Sequence, residues 1–233
     1  MIPGPLLIIK CPSCGKRQQR QSLISGNTIN ARHFSDGKFI ARMYPQYPYF
    51  VKCPACKVFF KITDKEVVDE ESLGFASDYN LVNFLNENEY CSAITNGLYN
   101  GVDDDILSLR IELWRLFNDR IRNSSHKRFP YKNNETKGRS LNEILNPEEK
   151  YIYEDNCRKI LSLMSENNED EDYLLRAELW RNLGQFEYCL SFLNDIKNQE
   201  NFVKYISAIK AACYSKNTLT VEIPHGSPSI FLF

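Results

Sequence analysis

The spacing of the cysteines is the feature of this sequence that points most directly to chemistry. Four of the eight occur as two Cys-Pro-x-Cys pairs, Cys11 with Cys14 and Cys53 with Cys56. A tight turn with this spacing presents two thiolates on one side of the backbone, and two such turns supply the four soft ligands of a tetrahedral metal ion. Proline restricts each turn, and Gly15 permits the positive φ that closes the first one. The pattern predicts one four-thiolate metal site.

Zinc is the metal that this ligand set favours, and iron in a redox centre is the alternative. Four protein ligands leave no coordination position for water or substrate, so we expect one zinc ion with a structural role. A site without metal, or pairwise disulfides, are the remaining alternatives. His33 is a fifth candidate ligand, although a surface histidine beside a turn is the commoner role for such a residue.

Short strands and tight turns are typical of the segment from Leu6 to Ile62, and glycines 26 and 37 mark two predicted hairpins. With its two cysteine turns, this segment resembles the zinc-ribbon and rubredoxin-like knuckle proteins. The resemblance implies a small β-rich domain over residues 1–64, held together by its metal. The 38 residues between the knuckles exceed the usual roughly 15 to 20, which implies an inserted β-meander. Lys57 stands where rubredoxins have a second glycine.

After Thr63 the hydrophobic period changes to about 3.6 residues, which predicts a helical domain over residues 75–216. Asp78 is expected to cap a helix that carries the apolar residues between 81 and 85. Asn146-Pro147 with Glu149 predicts another helix start, with a capping box and a first-turn proline. The chain is therefore predicted to be α+β, with a β-rich ribbon followed by an all-α domain.

Two further segments are predicted to be irregular. Residues 123–139 are polar and basic and should form an exposed loop between helices. Residues 217–233 should form an extended tail with an apolar end. The apolar run near the N-terminus, Leu6–Ile9, is too short for a signal peptide or a membrane span, so we expect a cytoplasmic protein that does not enter a membrane. Cys91, Cys157, Cys189 and Cys213 are interpreted as small apolar residues of helix faces.

An internal repeat marks the helical region. The seven residues from Leu109 to Arg115 recur from Leu175 to Arg181 with six identities, and both tryptophans of the chain lie in this repeat. Around the second copy the pattern of aromatic, small and turn residues resembles a tetratricopeptide repeat; it comprises Tyr173, Ala177, Trp180, Gly184, Phe186, Cys189 and Leu193. The resemblance implies TPR-like helical hairpins with a surface that binds peptides or protein segments. The alternative is an irregular bundle in which both tryptophans are core residues.

Charge is distributed unevenly along the chain. Residues 1–65 carry 11 Lys and Arg against two acids, whereas the whole chain has a net charge of −1. A basic module joined to an acidic one favours either nucleic-acid binding or docking of one part on the other. The candidate nucleic-acid contacts are Lys16, Arg17, Arg20, Lys52 and Lys57, with Tyr47 available to stack on a base.

Catalytic motifs are not apparent. No nucleophile triad, phosphate-binding glycine loop or metalloprotease motif can be assembled from this sequence. We therefore expect a non-enzymatic interaction protein, with a zinc ribbon and a helical module that binds a protein partner. Nucleic-acid binding through the basic ribbon is the first alternative, and a rubredoxin-like iron electron carrier is the second.

Overall fold

The computed structural model describes residues 1–71, 79–99, 104–124, 141–164 and 169–224. The chain divides into two compact units, which are considered separately. The first comprises Met1–Asn30 and Ile40–Leu109, and the second comprises Ala31–Phe39 and Arg110–Phe233. Short strands near the N-terminus are followed by helices, in agreement with the predicted α+β class. The boundaries differ from the predicted ones, because residues 31–39 belong to the second unit and residues 65–109 to the first.

The first unit is built from short antiparallel strands, one complete helix and the first residues of a second helix. The strands are β1 (Ile2–Pro3), β2 (Leu6–Lys10), β3 (Arg17–Arg20), β4 (Leu23–Ser25), β7 (Phe50–Lys52), β8 (Phe59–Lys61) and β9 (Val67–Glu71). Strand β2 is central, since it pairs with β3 on one side and β9 on the other, while β1 pairs with β4 and β7 with β8. Helix α1 (Glu87–Asn96) follows.

The core of the first unit lies directly beneath the predicted metal ligands. Ile9, Val51, Phe60 and Ile62 are buried together with Cys11 and Cys53 in one apolar cluster. Ile9 and Val51 each stand two positions before the first cysteine of a knuckle, and alternate residues of a strand point to the same face. The apolar residues that form the core therefore also orient the cysteines.

Three predicted elements of this region were wrong. Leu23–Ser25 pairs with β1 and does not form a hairpin around Gly26, and the strand content continues past residue 64 into β9. The predicted cap, Asp78, lies outside the described residues, and residues 79–86 are not helical. Gln19 exchanges backbone hydrogen bonds with Asn80 and Val82, which holds that segment extended beside β3. Helix α1 instead begins at a capping box between Asn86 and Glu89.

The second unit combines a small sheet with helices. Its sheet has the order β10-β5-β6, in which β5 and β6 flank the predicted turn at Gly37 (φ 75°). The strands are β5 (Arg32–Phe34), β6 (Phe39–Ile40) and β10 (Glu222–Ile223), and the helices are α2 (Asp104–Ser124, which begins in the first unit), α3 (Leu141–Ile144), α4 (Pro147–Leu163), α5 (Asp170–Asn182), α6 (Phe186–Asp195) and α7 (Gln199–Tyr214). The capping box predicted at Asn146 and Glu149 is confirmed at the start of α4.

The described part of the predicted tail, residues 217–224, pairs with the second unit's sheet. Leu219 and Ile223 are buried, and β10 pairs with β5 in antiparallel register. The apolar residues 230–233 lie outside the described part of the chain, as does the predicted polar loop from residue 125 onward.

The two copies of the repeat lie on α2 and α5 and differ in burial. In each copy the glutamate pairs with the arginine three positions later, Glu112 with Arg115 and Glu178 with Arg181. Trp114 is fully buried, whereas Trp180 is half-buried and stacks on another ring. The two copies thus share one ion pair within a helix, but only the first tryptophan is a core residue.

A buried ion pair anchors the segment 31–39 within the second unit. Asp36 is completely buried, and one of its carboxylate oxygens accepts hydrogen bonds from Arg122 Nη1 at 2.6 Å and Asn118 Nδ2 at 2.9 Å. Arg122, which is also buried, donates further bonds to Asp119 and to the backbone carbonyl of Arg115. A buried charge is tolerated when it is paired and its hydrogen bonds are satisfied, as here.

A second network of buried hydrogen bonds begins at Ser35, which precedes Asp36 in the chain. Ser35 Oγ donates to Glu178 Oε1 at 2.6 Å, and Asn182 Nδ2 donates to the same oxygen at 3.3 Å. Asn182 Oδ1 in turn accepts from Trp114 Nε1 at 3.0 Å and lies 3.0 Å from the hydroxyl of Tyr153. Buried polar networks of this kind select one arrangement of the elements, because each misplaced member leaves an unsatisfied group.

Replacing Asp36 tests this network. Burial raises the pKa of Asp36, but the charge and hydrogen bond of Arg122 lower it more, so the pKa lies below the usual value of 3.8. A depressed pKa stabilises the folded state above about pH 4, and this contribution is lost as pH falls through the folded-state pKa. Asp36→Asn should cost about 3 to 5 kcal/mol at neutral pH and flatten the acid limb of the stability profile.

Urea denaturation at several pH values provides the measurement. The matched control is Glu222→Gln, which breaks the more exposed pair with Arg32 and should cost less than about 1 kcal/mol. Equal effects of the two substitutions would contradict a dominant role for the buried pair.

Candidate metal centre

The two cysteine turns have the same backbone geometry. In the first, Gly15 N–H donates to the carbonyl of Cys11 and Cys11 N–H donates to that of Lys16. In the second, Lys57 and Cys53 make the corresponding bonds, to Cys53 and Val58. Each turn also joins two antiparallel strands, β2 to β3 and β7 to β8. The knuckles are therefore hairpin turns, and the register of each hairpin determines where its sulfurs lie.

The structure brings all four predicted cysteines together. Their Sγ atoms lie within 4.8 Å of one another. Across the two knuckles, Cys11 and Cys56 are 3.7 Å apart and Cys14 and Cys53 are 3.6 Å apart. Four sulfurs at about 2.3 Å from a central zinc are spaced by about 3.8 Å, whereas a disulfide requires about 2.05 Å. The spacing fits a shared tetrahedral ion better than it fits two disulfides.

Burial and electrostatics differ among the four thiols. Cys11 and Cys53 are buried, Cys56 is half-buried and Cys14 is exposed. Burial raises the pKa of Cys11 to about 12, whereas the backbone N–H of Val58 lowers the pKa of Cys56 to about 6. Four thiolates at this separation repel one another, so a divalent cation is needed for all of them to ionise together.

Both knuckles require a backbone conformation that side chains disfavour. Gly15 has a φ of 74° and Lys57, at the equivalent position, has a φ of 63°. Only glycine adopts this region without a steric penalty. The ammonium group of Lys57 donates to the carbonyl of Pro54 at 2.7 Å, which ties the side chain back onto its own turn.

The structure excludes His33 from the sulfur cluster. The cluster of ligand atoms consists of the four cysteines alone. His33 belongs to the second unit, where it is 6% exposed on β5 and stacks on Phe39. The expectation of a surface histidine is also wrong, because the residue is buried.

Several candidate nucleic-acid contacts are engaged within the first unit. Lys52 forms an ion pair with Glu89 at 3.3 Å, Lys57 bonds to its own knuckle, and the hydroxyl of Tyr47 donates to the carbonyl of Ser22. Glu89 lies 37 positions from Lys52, so no local pattern in the sequence indicated this pairing. These contacts reduce the number of cations available to phosphates.

The remaining candidates lie on or near β3. Lys16 and Arg17 are exposed, and Nη1 of Arg17 lies 3.5 Å from the hydroxyl oxygen of Tyr79. Arg20 is half-buried, and its guanidinium carbon lies 5.5 Å from the centre of the exposed Tyr49 ring. Its Nε and Nη1 atoms are buried without a hydrogen-bond acceptor, so the ring face takes the place of one.

Comparison of the chain with protein-family models, with curated proteins and with solved structures finds no match. Every helix among the described residues is too short or too polar to cross a lipid bilayer.

Reciprocal substitutions at the knuckle glycine position test the shared geometry. Gly15→Ala should destabilise the first unit by about 1 kcal/mol because it adds a side chain at positive φ. Lys57→Gly should stabilise the unit by a similar or smaller amount by removing that strain. The urea midpoint of the metal-loaded protein reports both changes.

Lys16→Gly is the matched control, since it removes a neighbouring exposed lysine whose φ is not positive. It should be neutral or slightly destabilising. If Lys57→Gly destabilises as much as this control does, the positive φ at Lys57 carries no cost.

Proposed function

We propose that this chain is a non-enzymatic, zinc-binding interaction protein. One zinc ion bound by Cys11, Cys14, Cys53 and Cys56 stabilises the first unit, and the helical unit binds a protein partner. The observation that supports the metal is the convergence of four sulfurs within 4.8 Å, with cross-knuckle distances close to those of a tetrahedral thiolate site.

The ligand set and the short strands around the site support a structural role. Four cysteines complete the tetrahedron, which leaves no position for a reacting molecule. The strands around the site have two to five residues each, and sheets of such short strands are marginal without further support. Metal binding supplies that support, because the site does not exist in the unfolded chain.

Aromatic side chains on α5 and α6 support a protein-binding surface. Trp180 stacks on Tyr188 with ring centres 5.0 Å apart, and Tyr188 is 57% exposed. Tyr173 and Phe192 form a second pair along the same two helices, at 6.1 Å. Gly184, with a φ of 74°, permits the short turn between the helices. Partly exposed aromatic rings are enriched at protein interfaces, and the pattern is the one that resembles a tetratricopeptide hairpin.

Nucleic-acid binding through the first unit is the second candidate. The residue that favours it is Tyr49, which is 63% exposed and whose ring lies against the guanidinium of Arg20. Arg17, on the same strand β3 as Arg20, and the neighbouring Lys16 are exposed as well. A positively charged surface with an exposed ring is the arrangement that binds single strands by stacking.

Elemental analysis of the purified protein tests the metal proposal. We expect one zinc per chain, and Cys14→Ser or Cys53→Ser should lose the metal and make the first unit sensitive to protease, while helical circular dichroism persists. Cys157→Ala, at a buried cysteine of α4, is the matched control and should keep the zinc. Iron in place of zinc, with a reversible one-electron couple, would support the electron-carrier alternative. A reduced, folded protein without stoichiometric metal would refute the proposal.

Affinity capture from the host at low and high salt tests the partner proposal. A protein partner that binds through the aromatic rings should survive high salt and be lost with Tyr188→Ala. It should be retained with Tyr214→Ala, a matched control at a 75% exposed tyrosine of α7. Nucleic acid that is released by salt and lost with Tyr49→Ala would instead support the second candidate. Capture that is equal for all three variants would contradict both.

A further inference from the structure

Two cysteines outside the metal centre lie against each other in the second unit. Cys189 on α6 and Cys213 on α7 have their Sγ atoms 3.1 Å apart. This distance is shorter than either cross-knuckle distance in the metal centre, 3.6 and 3.7 Å. Both side chains are almost completely buried, at 0% and 3% exposure. The packing of α6 on α7 therefore holds two thiols face to face.

The surroundings of the pair favour ionisation of one thiol. The guanidinium of Arg181 interacts electrostatically with both sulfurs. The hydrogen bond between the two sulfurs lowers the pKa of Cys213, with a further contribution from Arg181, against the opposing effects of burial and Glu178. The same hydrogen bond, together with burial, raises the pKa of Cys189. The close contact therefore favours ionisation of one sulfur of the pair while the other keeps its proton.

We propose that Cys189 and Cys213 form a redox-responsive dithiol that closes into a disulfide between α6 and α7. The sulfurs need to approach by only about 1 Å to reach the bonded distance of about 2.05 Å. This contrasts with the metal centre, where each sulfur has three close neighbours and the spacing fits a shared ion.

The oxidant that we propose is a small-molecule disulfide such as oxidised glutathione. The thiolate of the pair attacks one sulfur of the oxidant, the S–S bond of the oxidant breaks, and one glutathione thiolate leaves. The second cysteine of the pair loses its proton and attacks the protein sulfur of the mixed disulfide, which releases the second glutathione thiolate. The protein loses two protons and two electrons, and the oxidant is reduced to two thiols.

Closure would tie α6 to α7 across 24 positions of sequence. A cross-link of this span stabilises mainly by restricting the unfolded chain. Arg181 also pairs with Glu178 and contacts the carbonyl of Asn217 after α7, so the pair lies beside the buried polar network of this unit. Oxidation should therefore raise the thermal midpoint of the second unit without disturbing the helices.

Peptide mapping of the full chain in glutathione buffers tests the proposal. The zinc-loaded protein is equilibrated at reducing and oxidising ratios, its free thiols are alkylated, and it is digested with trypsin. The oxidising sample should contain a cross-link between the peptides 182–197 and 211–216, lighter by two hydrogens than the sum of the two. Cys157, equally buried on α4, should be recovered as a free thiol in both samples.

Two additional measurements keep a negative result interpretable. A parallel sample is unfolded under reducing conditions and refolded with zinc in the same buffers, so that burial cannot block the oxidant. Cys189→Ala and Cys213→Ala should each abolish the rise in thermal midpoint on oxidation, whereas Cys157→Ala should retain it. If both cysteines are alkylated after refolding under oxidising conditions, or if the rise persists in Cys189→Ala, the proposal is overturned.

Discussion

Mutual repulsion among four closely spaced thiolates is the constraint on which the first unit depends. Two hairpins each end in a turn that presents two sulfurs, and the hairpin registers bring the four atoms within 4.8 Å. Such an arrangement is stable in its fully ionised form only when a cation compensates the charge. The core lies immediately beneath, because Ile9 and Val51 share strand faces with the first cysteine of each knuckle. The metal centre and the apolar core are thus two layers of one structure.

A different constraint governs the second unit. Its interior holds charged groups that would be costly to bury alone, and each finds a partner: Asp36 with Arg122, and Glu178 with Arg181. The segment 31–39 contributes Ser35 and Asp36 to these contacts. This explains the long spacing between the knuckles. Part of the insert is a β-hairpin that belongs to the second unit and supplies its buried acid.

The two sets of cysteines differ in the number and distance of their sulfur neighbours. In the metal centre each sulfur has three neighbours at comparable distances, and Cys14 is open to solvent. Cys189 and Cys213 form an isolated close contact within the packed interface of two helices. Residue type is identical in the two cases, and the number and distance of neighbouring sulfurs distinguishes them.

Local signals in the sequence determined those features that depend on a few adjacent residues. The Cys-Pro-x-Cys turns, the capping box at Asn146, the turn at Gly37 and the order of strands before helices all follow from short-range backbone chemistry. The convergence of Cys11, Cys14, Cys53 and Cys56 could be predicted because two turns of the same Cys-Pro-x-Cys type are difficult to explain otherwise.

Only the tertiary structure decided which segments pair across long distances. Residues 80–82 are extended rather than helical because Gln19 supplies their hydrogen bonds, and β5 joins β10 although nearly 190 positions separate them. Trp114 and Trp180 occupy equivalent places in a repeat, yet one is a core residue and the other is half-buried. Pairing, burial and the meeting of Cys189 with Cys213 depend on neighbours that are remote in sequence, and local propensity carries no information about them.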